Sequence, residues 1–144
     1  MAEIESIVKV LERTQLFRGL RRRQLEGIAG RFVEREYAGG DTVVTQGQGG
    51  EGFFIIVTGT AEAIYKRADG SDVTLNDFGP GDFFGELAVL TDALRTASVV
   101  ATSALHCIVL TRWDLMGLLR SDPDMAIAVL QQLASRFSQT LSRM

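Results

Sequence analysis

The sequence predicts a mainly β protein, a small roll or barrel with helices at both ends. Two observations carry that prediction. Between residues 33 and 110, short runs rich in Val, Ile, Thr, Phe and Tyr are cut repeatedly by glycine: "DTVVTQ", "GFFIIVTG", "TAEAIYKR", "DVTLNDF", "ASVVAT" and "ALHCIVLT". Closely spaced short strands of this texture suit a sandwich, barrel or roll. Before and after them, apolar residues recur at the helical period instead.

The elements follow in chain order. Over residues 3–14, Ile4, Ile7 or Val8, and Leu11 share one face of a helix. "RRRQLEGIAGRF" repeats the pattern, with Leu25, Ile28, Ala29 and Phe32 apolar and the arginines Arg21, Arg22 and Arg23 on a solvated face. In the strand region, "ADGS" (68–71) between two β runs is a tight hairpin signal. "GQGGEG" (47–52) matches the letters of a dinucleotide fingerprint. That fingerprint needs a helix directly after it to hold a pyrophosphate, and here the strand-like "FFIIVTG" follows. The glycines therefore read as a tight turn between strands. After Thr111, "RWDLMGLL" is a short helix over about 112–120, with Trp113 packing against it. A last helix spans about 122–143, with Ser121 or Asp122 as its cap and Pro123 in its first turn. Its apolar stripe is Ile127, Leu130, Leu133 or Ala134, Phe137 and Leu141, which packs on the β region or forms a dimer face.

A chain of 144 residues with 46% hydrophobic and 23% charged content is one globular domain, residues 1–144: helices over 1–32, strands over 33–111, helices over 112–144. A net charge of −3 argues against general attraction to nucleic acid or an anionic membrane. The single cysteine, Cys107, cannot form an internal disulfide and reads as a small core residue. His106 lies in a strand pattern with no Cys, Asp or His at metal spacing, so no metal site is expected. The N-terminal stretch lacks the apolar core of a signal peptide, and no apolar run approaches a membrane span. The expectation is a soluble, cytoplasmic protein.

One stretch carries chemistry. "FFGELAVLTDALRTAS" (83–98) places Glu86 after Gly85 and Arg95 nine residues later, followed by Thr96 and Ala97. "ELAVL" is long enough for one helical turn, whose opening N–H groups are unpaired. Arg95 offers a planar fork of donors suited to phosphate. Glu86 only accepts, so its natural partner is a donor such as a sugar hydroxyl. The residues alone leave two readings open. One is an ordinary surface ion pair between Glu86 and Arg95, worth about 0–1 kcal/mol. The other is a socket for a sugar phosphate.

The stretch resembles the phosphate-binding cassette of the cyclic-nucleotide-binding domain family, which includes the catabolite activator protein, the regulatory subunit of protein kinase A and cyclic-nucleotide-gated channels. "FGE", an aliphatic run, a short loop and "RTA" stand at the family's spacing. "LFRGLRRRQLEGIAGRF" resembles its entry helices, and "AGGDTVVTQGQGGEGFFIIVTGTAEAI" its strand–turn–strand segment. The resemblance implies a β-roll (a double-stranded β-helix, jelly-roll-like) with N-terminal helices and C-terminal hinge and lid helices, the cassette being residues 83–98. It implies that Glu86 accepts from a ribose hydroxyl and that Arg95 pairs with a cyclic phosphate. The amides of Gly85, Leu87 and Ala97, with Ala88 beside them, would surround that phosphate and sugar. Thr96 would reach the phosphate or the purine, and in some members a hydroxyl there favours cGMP. Ala63 and Phe78 would line the purine pocket, with Leu87 and Val89 beneath. Arg136 either caps the base, as in some channel domains, or is a solvated arginine on a helix surface. Leu94 stands where many members have proline.

The implied function is a non-catalytic cyclic-nucleotide sensor, binding cAMP or cGMP without a cofactor and shifting its C-terminal helices. A homodimer through the C-terminal helix, or contact with an attached effector domain, would receive that shift. Two alternatives stand beside it. A catabolite-activator-type transcription regulator would need a helix-turn-helix after the last helix, and the sequence to Met144 shows none. A β-roll interaction scaffold without ligand would have no use for Glu86 and Arg95.

Overall fold

A computed structural model describes residues 4–49, 52–91 and 94–142. Two helices come first, α1 (Ile4–Arg13) and α2 (Arg22–Ala29), joined through a 3-10 turn at Gln15–Phe17. The strands are β1 (Val33–Tyr37), β2 (Thr42–Val44), β3 (Gly52–Thr58), β4 (Ala61–Lys66), β5 (Asp72–Phe78), β6 (Phe83–Phe84), β7 (Ser98–Ala101) and β8 (Leu105–Thr111). Helix α3 (Glu86–Thr91) interrupts them between β6 and β7, and α4 (Arg112–Ser121) and α5 (Pro123–Ser142) close the chain. Among the described residues the strands form two four-stranded antiparallel sheets, β1-β8-β3-β6 and β2-β7-β4-β5. The expected roll with helices at both ends is what the chain folds into.

Side-chain alternation explains how one sheet serves two cores. On β3, Phe53 and Ile55 point one way and Phe54 and Ile56 the other, and all four are buried. Phe53 and Ile55 join Phe83, Ile108 and Leu110 against the helices, where they meet Leu11, Phe17, Leu25 and Leu115. Phe54 and Ile56 join Phe84, Leu105 and Cys107 and face Ala63, Phe78 and Val99 of the second sheet. A strand covered on both faces must be apolar throughout, which is why "FFIIV" does not alternate. Ring contacts continue the division. Phe53 packs on Phe17 and Phe83 at 6.2 and 5.6 Å, while Phe54 stacks on Phe84 at 4.9 Å.

Local chemistry sets the remaining boundaries. The β4–β5 hairpin turns at Gly70, with φ +90°, and the Arg67 and Ser71 backbones close it. Asp122, not Ser121, caps α5: its Oδ1 accepts from Met125 N at 3.1 Å and its Oδ2 from Gln24 Nε2 at 3.0 Å. Those hydrogen bonds, with the Arg21 guanidinium nearby, hold the Asp122 carboxyl below its ordinary range. Met125 and Val129 bury the inner face of α5.

"VEREY", the start of the expected strand region, forms β1, an edge strand paired with β8, although its charged residues hide the strand pattern. Three sequence expectations change. Trp113 does not pack α4. It is 80% exposed, because α4 turns Leu115 inward and Trp113 lies on the opposite face. Arg22 is not simply solvated, since Glu5, Glu12 and Glu26 surround its guanidinium. Most of the α5 stripe does not pack on the roll: Leu133 lies partly buried against the core, but Ile127, Leu130, Phe137 and Leu141 are all more than half exposed. Among the described residues no helix is long and apolar enough to cross a membrane.

Candidate functional site

The "GQGGEG" turn fixes the backbone of Arg95. Gly47 N donates to Arg95 O at 2.9 Å, Arg95 N donates to Gln48 O at 2.8 Å, and Gly49 bridges to Leu94. Gly47 takes φ +83°, a conformation glycine adopts without a steric penalty. Gly50 and Glu51 lie outside the described residues. The motif that resembles a nucleotide loop therefore does its work as a brace for the arginine.

Arg95 enters the roll with 7% of its surface exposed. Its Nη2 donates to Gly52 O at 2.9 Å and its Nη1 to Gly85 O at 3.3 Å. The fork thus spans two carbonyls and aims the cation into the pocket. Burial lowers its pKa, and the nearby Glu86 carboxylate opposes that shift.

Glu86 begins α3, and its side chain is 13% exposed. Its Oε1 accepts from Nη1 of Arg136 at 3.4 Å, and the Arg136 guanidinium carbon lies 4.1 Å from the centre of the Phe83 ring. The surface ion pair between Glu86 and Arg95 is therefore not how these residues are used. Arg95 is held by carbonyls, while Glu86 meets an arginine fifty residues away on α5. Arg136 is no solvated surface residue. It ties the last helix to the helix that carries Glu86.

These groups open onto a cavity of about 420 Å³. Gly85, Glu86, Arg95, Thr96, Ala97 and Arg136 line its polar end. Ala63, Phe78 and Phe84 line the apolar part, with Val44 and Val99. One end can take an anion and donors, and the rest can take a flat apolar body.

Most of the site expected from the sequence converges on this cavity: Ala63, Phe78, Gly85, Glu86, Arg95, Thr96, Ala97 and Arg136 all border it. Val89 does not. It is fully buried in the core between helices and β3, because α3 turns that face away from the cavity. The Val89 carbonyl accepts from Arg112 Nε at 3.1 Å, which links the turn to α4. Leu87 and Ala88 contribute backbone to α3, and their side chains lie outside the described residues, as do Asp92 and Ala93 of the loop before Arg95. Sequence reasoning missed Val44, Leu75, Asn76, Phe84, Thr91, Leu94 and Val99 as lining residues. Val44, Leu75, Asn76 and Val99 come from three separate strands that alternation marks only as sheet residues, while Phe84, Thr91 and Leu94 lie in the 83–98 stretch itself, where no charge singles them out. His106 is a sheet residue as expected, with Nε2 2.8 Å from Glu34 Oε1 across β1 and β8. Cys107 is buried, and burial pushes its thiol pKa up to about 12, which leaves it a poor nucleophile. Among the described residues no group of His, Cys, Asp and Glu could hold a metal ion.

Comparison with known proteins gives the family and the fold. Residues 34–122 match the family described as cyclic nucleotide-binding domain. A cAMP-dependent protein kinase regulatory subunit from Mycosarcoma maydis is 40% identical over 96 residues, 67% of this chain and 18% of that protein. The chain spans about a fifth of the length of the curated relatives it matches. Among solved structures, the N-terminal domain of a transcriptional regulator from Streptomyces coelicolor A3(2) is 29% identical, with a TM-score of 0.80 and 94% of each chain covered. The regulatory domain of Toxoplasma gondii protein kinase A, crystallised with cAMP, is 28% identical at a TM-score of 0.75, covering 80% of this chain and 44% of that one.

Proposed function

Since the chain belongs to the cyclic nucleotide-binding domain family, we propose that the roll cavity binds a 3′,5′-cyclic nucleotide and relays its occupancy to α5. The observation that carries the reading is the convergence of Glu86, Arg95, Thr96 and Ala97 on one end of an otherwise apolar cavity. Arg95 takes the cyclic phosphate with its fork, and Glu86 takes a ribose hydroxyl. Gly85, Leu87 and Ala97 offer backbone amides, and Ala63 and Phe78 receive the base. The ligand is bound and released unchanged, so its effect is a shift between conformations. cAMP is the first candidate, because regulatory subunits named for cAMP are similar to this chain. A calorimetric titration tests the reading. Saturable heat with cAMP or cGMP is expected, and no heat with either overturns it.

Arg136 supplies the relay. Its contacts with Glu86 and Phe83 close α5 over the cassette, and a ribose hydroxyl arriving at Glu86 must share or replace one of them. Each is worth about 0.5–1 kcal/mol, enough to bias a helix without locking it. Arg136→Ala is expected to leave nucleotide binding measurable while abolishing the ligand-dependent change in hydrogen exchange along α5. Unaltered ligand-dependent exchange in the variant would show that the relay runs elsewhere.

The outer face of α5 fits a second copy of the chain. Ile127, Leu130, Ala134, Phe137 and Leu141 follow steps of three and four residues, the seam of a two-stranded coiled coil, and lie exposed. Sedimentation is expected to find a dimer, and Leu130→Glu a monomer. A monomeric parent chain would remove this part of the proposal.

A further inference from the structure

We infer that Asn76 is the residue that reads the base, and that it sets a preference for adenine over guanine; this rests on the cavity being a cyclic-nucleotide site. The argument starts from strand register. Val44 pairs with Val99, Val99 with Ala63, and Ala63 with Asn76. The four residues form one row across β2, β7, β4 and β5, and all four line the cavity. Paired residues of a sheet project from the same face. The floor of the cavity is therefore three aliphatic side chains ending in one amide.

A β-bulge adds a wall beside that amide. On β4, Ala63 and Ile64 are consecutive, yet their partners on β5 are Asn76 and Thr74, leaving Leu75 as the extra residue. Such bulges bend an edge strand and re-aim its side chains. Here Leu75 and Asn76, neighbours that would otherwise face opposite ways, both border the cavity. Leu75 is 56% exposed and gives an apolar wall at the mouth. Asn76 has no side-chain hydrogen-bond partner among the described residues, so its donor and acceptor remain available to a ligand.

Distance orders the ligand along this row. Arg95, Thr96 and Ala97 lead directly into β7, and β5 lies two strands further on, about 10 Å across the sheet. A nucleotide with its phosphate at Arg95 lays its base over Val99 and Ala63 and brings the far edge to Asn76. An amide offers one donor and one acceptor side by side. Adenine presents the complement at N7 and its 6-amino group, whereas guanine presents two acceptors at N7 and O6, which suit an arginine fork. Thr96 lines the cavity too, beside Arg95 at the phosphate end of the row, and its single hydroxyl contact is expected to be outweighed by the paired contacts of the Asn76 amide.

The test is a set of calorimetric titrations with cAMP, cGMP and 7-deaza-cAMP, in which carbon replaces N7. The parent chain is expected to prefer cAMP over cGMP by about tenfold or more, and to bind 7-deaza-cAMP about tenfold more weakly than cAMP. Asn76→Ala, at an exposed position, is expected to fold normally, to lose about tenfold in cAMP affinity, to keep its cGMP affinity within about twofold and to ignore the change at N7. Asn76→Arg should shift the preference toward cGMP. A parent chain that prefers cGMP, or an Asn76→Ala variant that weakens both nucleotides equally or neither, overturns the assignment while leaving the site intact. A parent chain that binds no nucleotide overturns the site itself, and the base reader with it.

Discussion

Arg95→Ala is expected to lower cyclic-nucleotide affinity by about tenfold to a hundredfold, corresponding to about 1.5–3 kcal/mol for a charge-assisted contact removed from a partly desolvated site. The size follows from where the guanidinium sits. A surface arginine would be worth a fraction of this, because water and salt screen it. Arg95 is 7% exposed and has already given up most of its hydration. It is held in place by Gly52 O and Gly85 O, so the free chain keeps the fork ordered and a phosphate need not organise it. Arg95→Lys separates charge from shape. A lysine keeps the charge but cannot reach two carbonyls with a planar fork, so its loss should fall between those of the parent chain and the alanine variant. Calorimetry reads affinity, and a thermal melt reads the accompanying loss of stability, about 1 kcal/mol, since both released carbonyls can take up water at the open cavity. Affinity unchanged in Arg95→Ala would remove the phosphate role.

The roll and the polar end of the cavity were legible in the sequence because both depend on local signals. Glycine-cut β runs announce strands; a glycine, a carboxylate and an arginine at this spacing leave an ion pair or a sugar-phosphate socket open, and the family resemblance of the whole stretch chooses the second. The remainder depends on long-range register. Asn76 shares a face with Phe78 by alternation, but only its pairing with Ala63 puts it in the cavity row, and nothing in "DVTLNDF" signals the bulge that turns Leu75 toward the mouth. Val89 was expected beneath the base because the family resemblance implied it. The rotation of one short helix instead sends it into the core beside the helices. Arg136 is fifty residues from Glu86, and only the packing of α5 brings the two together. Trp113 shows the converse error: an aromatic residue beside a helix start was expected to be inside, but the inner face of α4 was already filled by Leu115. Composition identifies which residues want burial, and topology decides which of them obtain it.

Gly85→Ala is expected to match Arg95→Ala in lost affinity and to exceed it in lost stability, although it removes no functional group. Gly85 sits at φ +92°, where an L side chain costs on the order of 1–3 kcal/mol. A Cβ there would lie 2.6 Å from Arg95 Nη1 and 2.8 Å from Gly52 O. The guanidinium can swing away, being the end of a flexible side chain, but Gly52 O is backbone at the start of β3. Relief therefore requires both that Arg95 leave its two carbonyls and that the chain shift at Gly52 or Gly85. At about 2 kcal/mol the melting temperature should fall by roughly 4–8 °C for a domain of this size. The two variants act on one object, the seated fork, so their effects on binding cannot add. In the Arg95→Ala background Gly85→Ala should cost little further affinity, while its stability cost persists through the backbone strain. Gly59→Ala is the control. Its Cβ would meet Ala104 O at 2.1 Å at φ +94°, in the β3–β4 turn and outside the residues that line the cavity. It should lower the melting temperature at least as much and leave the affinity of the folded protein unchanged. Full additivity of Gly85→Ala and Arg95→Ala in binding would mean that the glycine serves the nucleotide through its own amide and not through the arginine it makes room for.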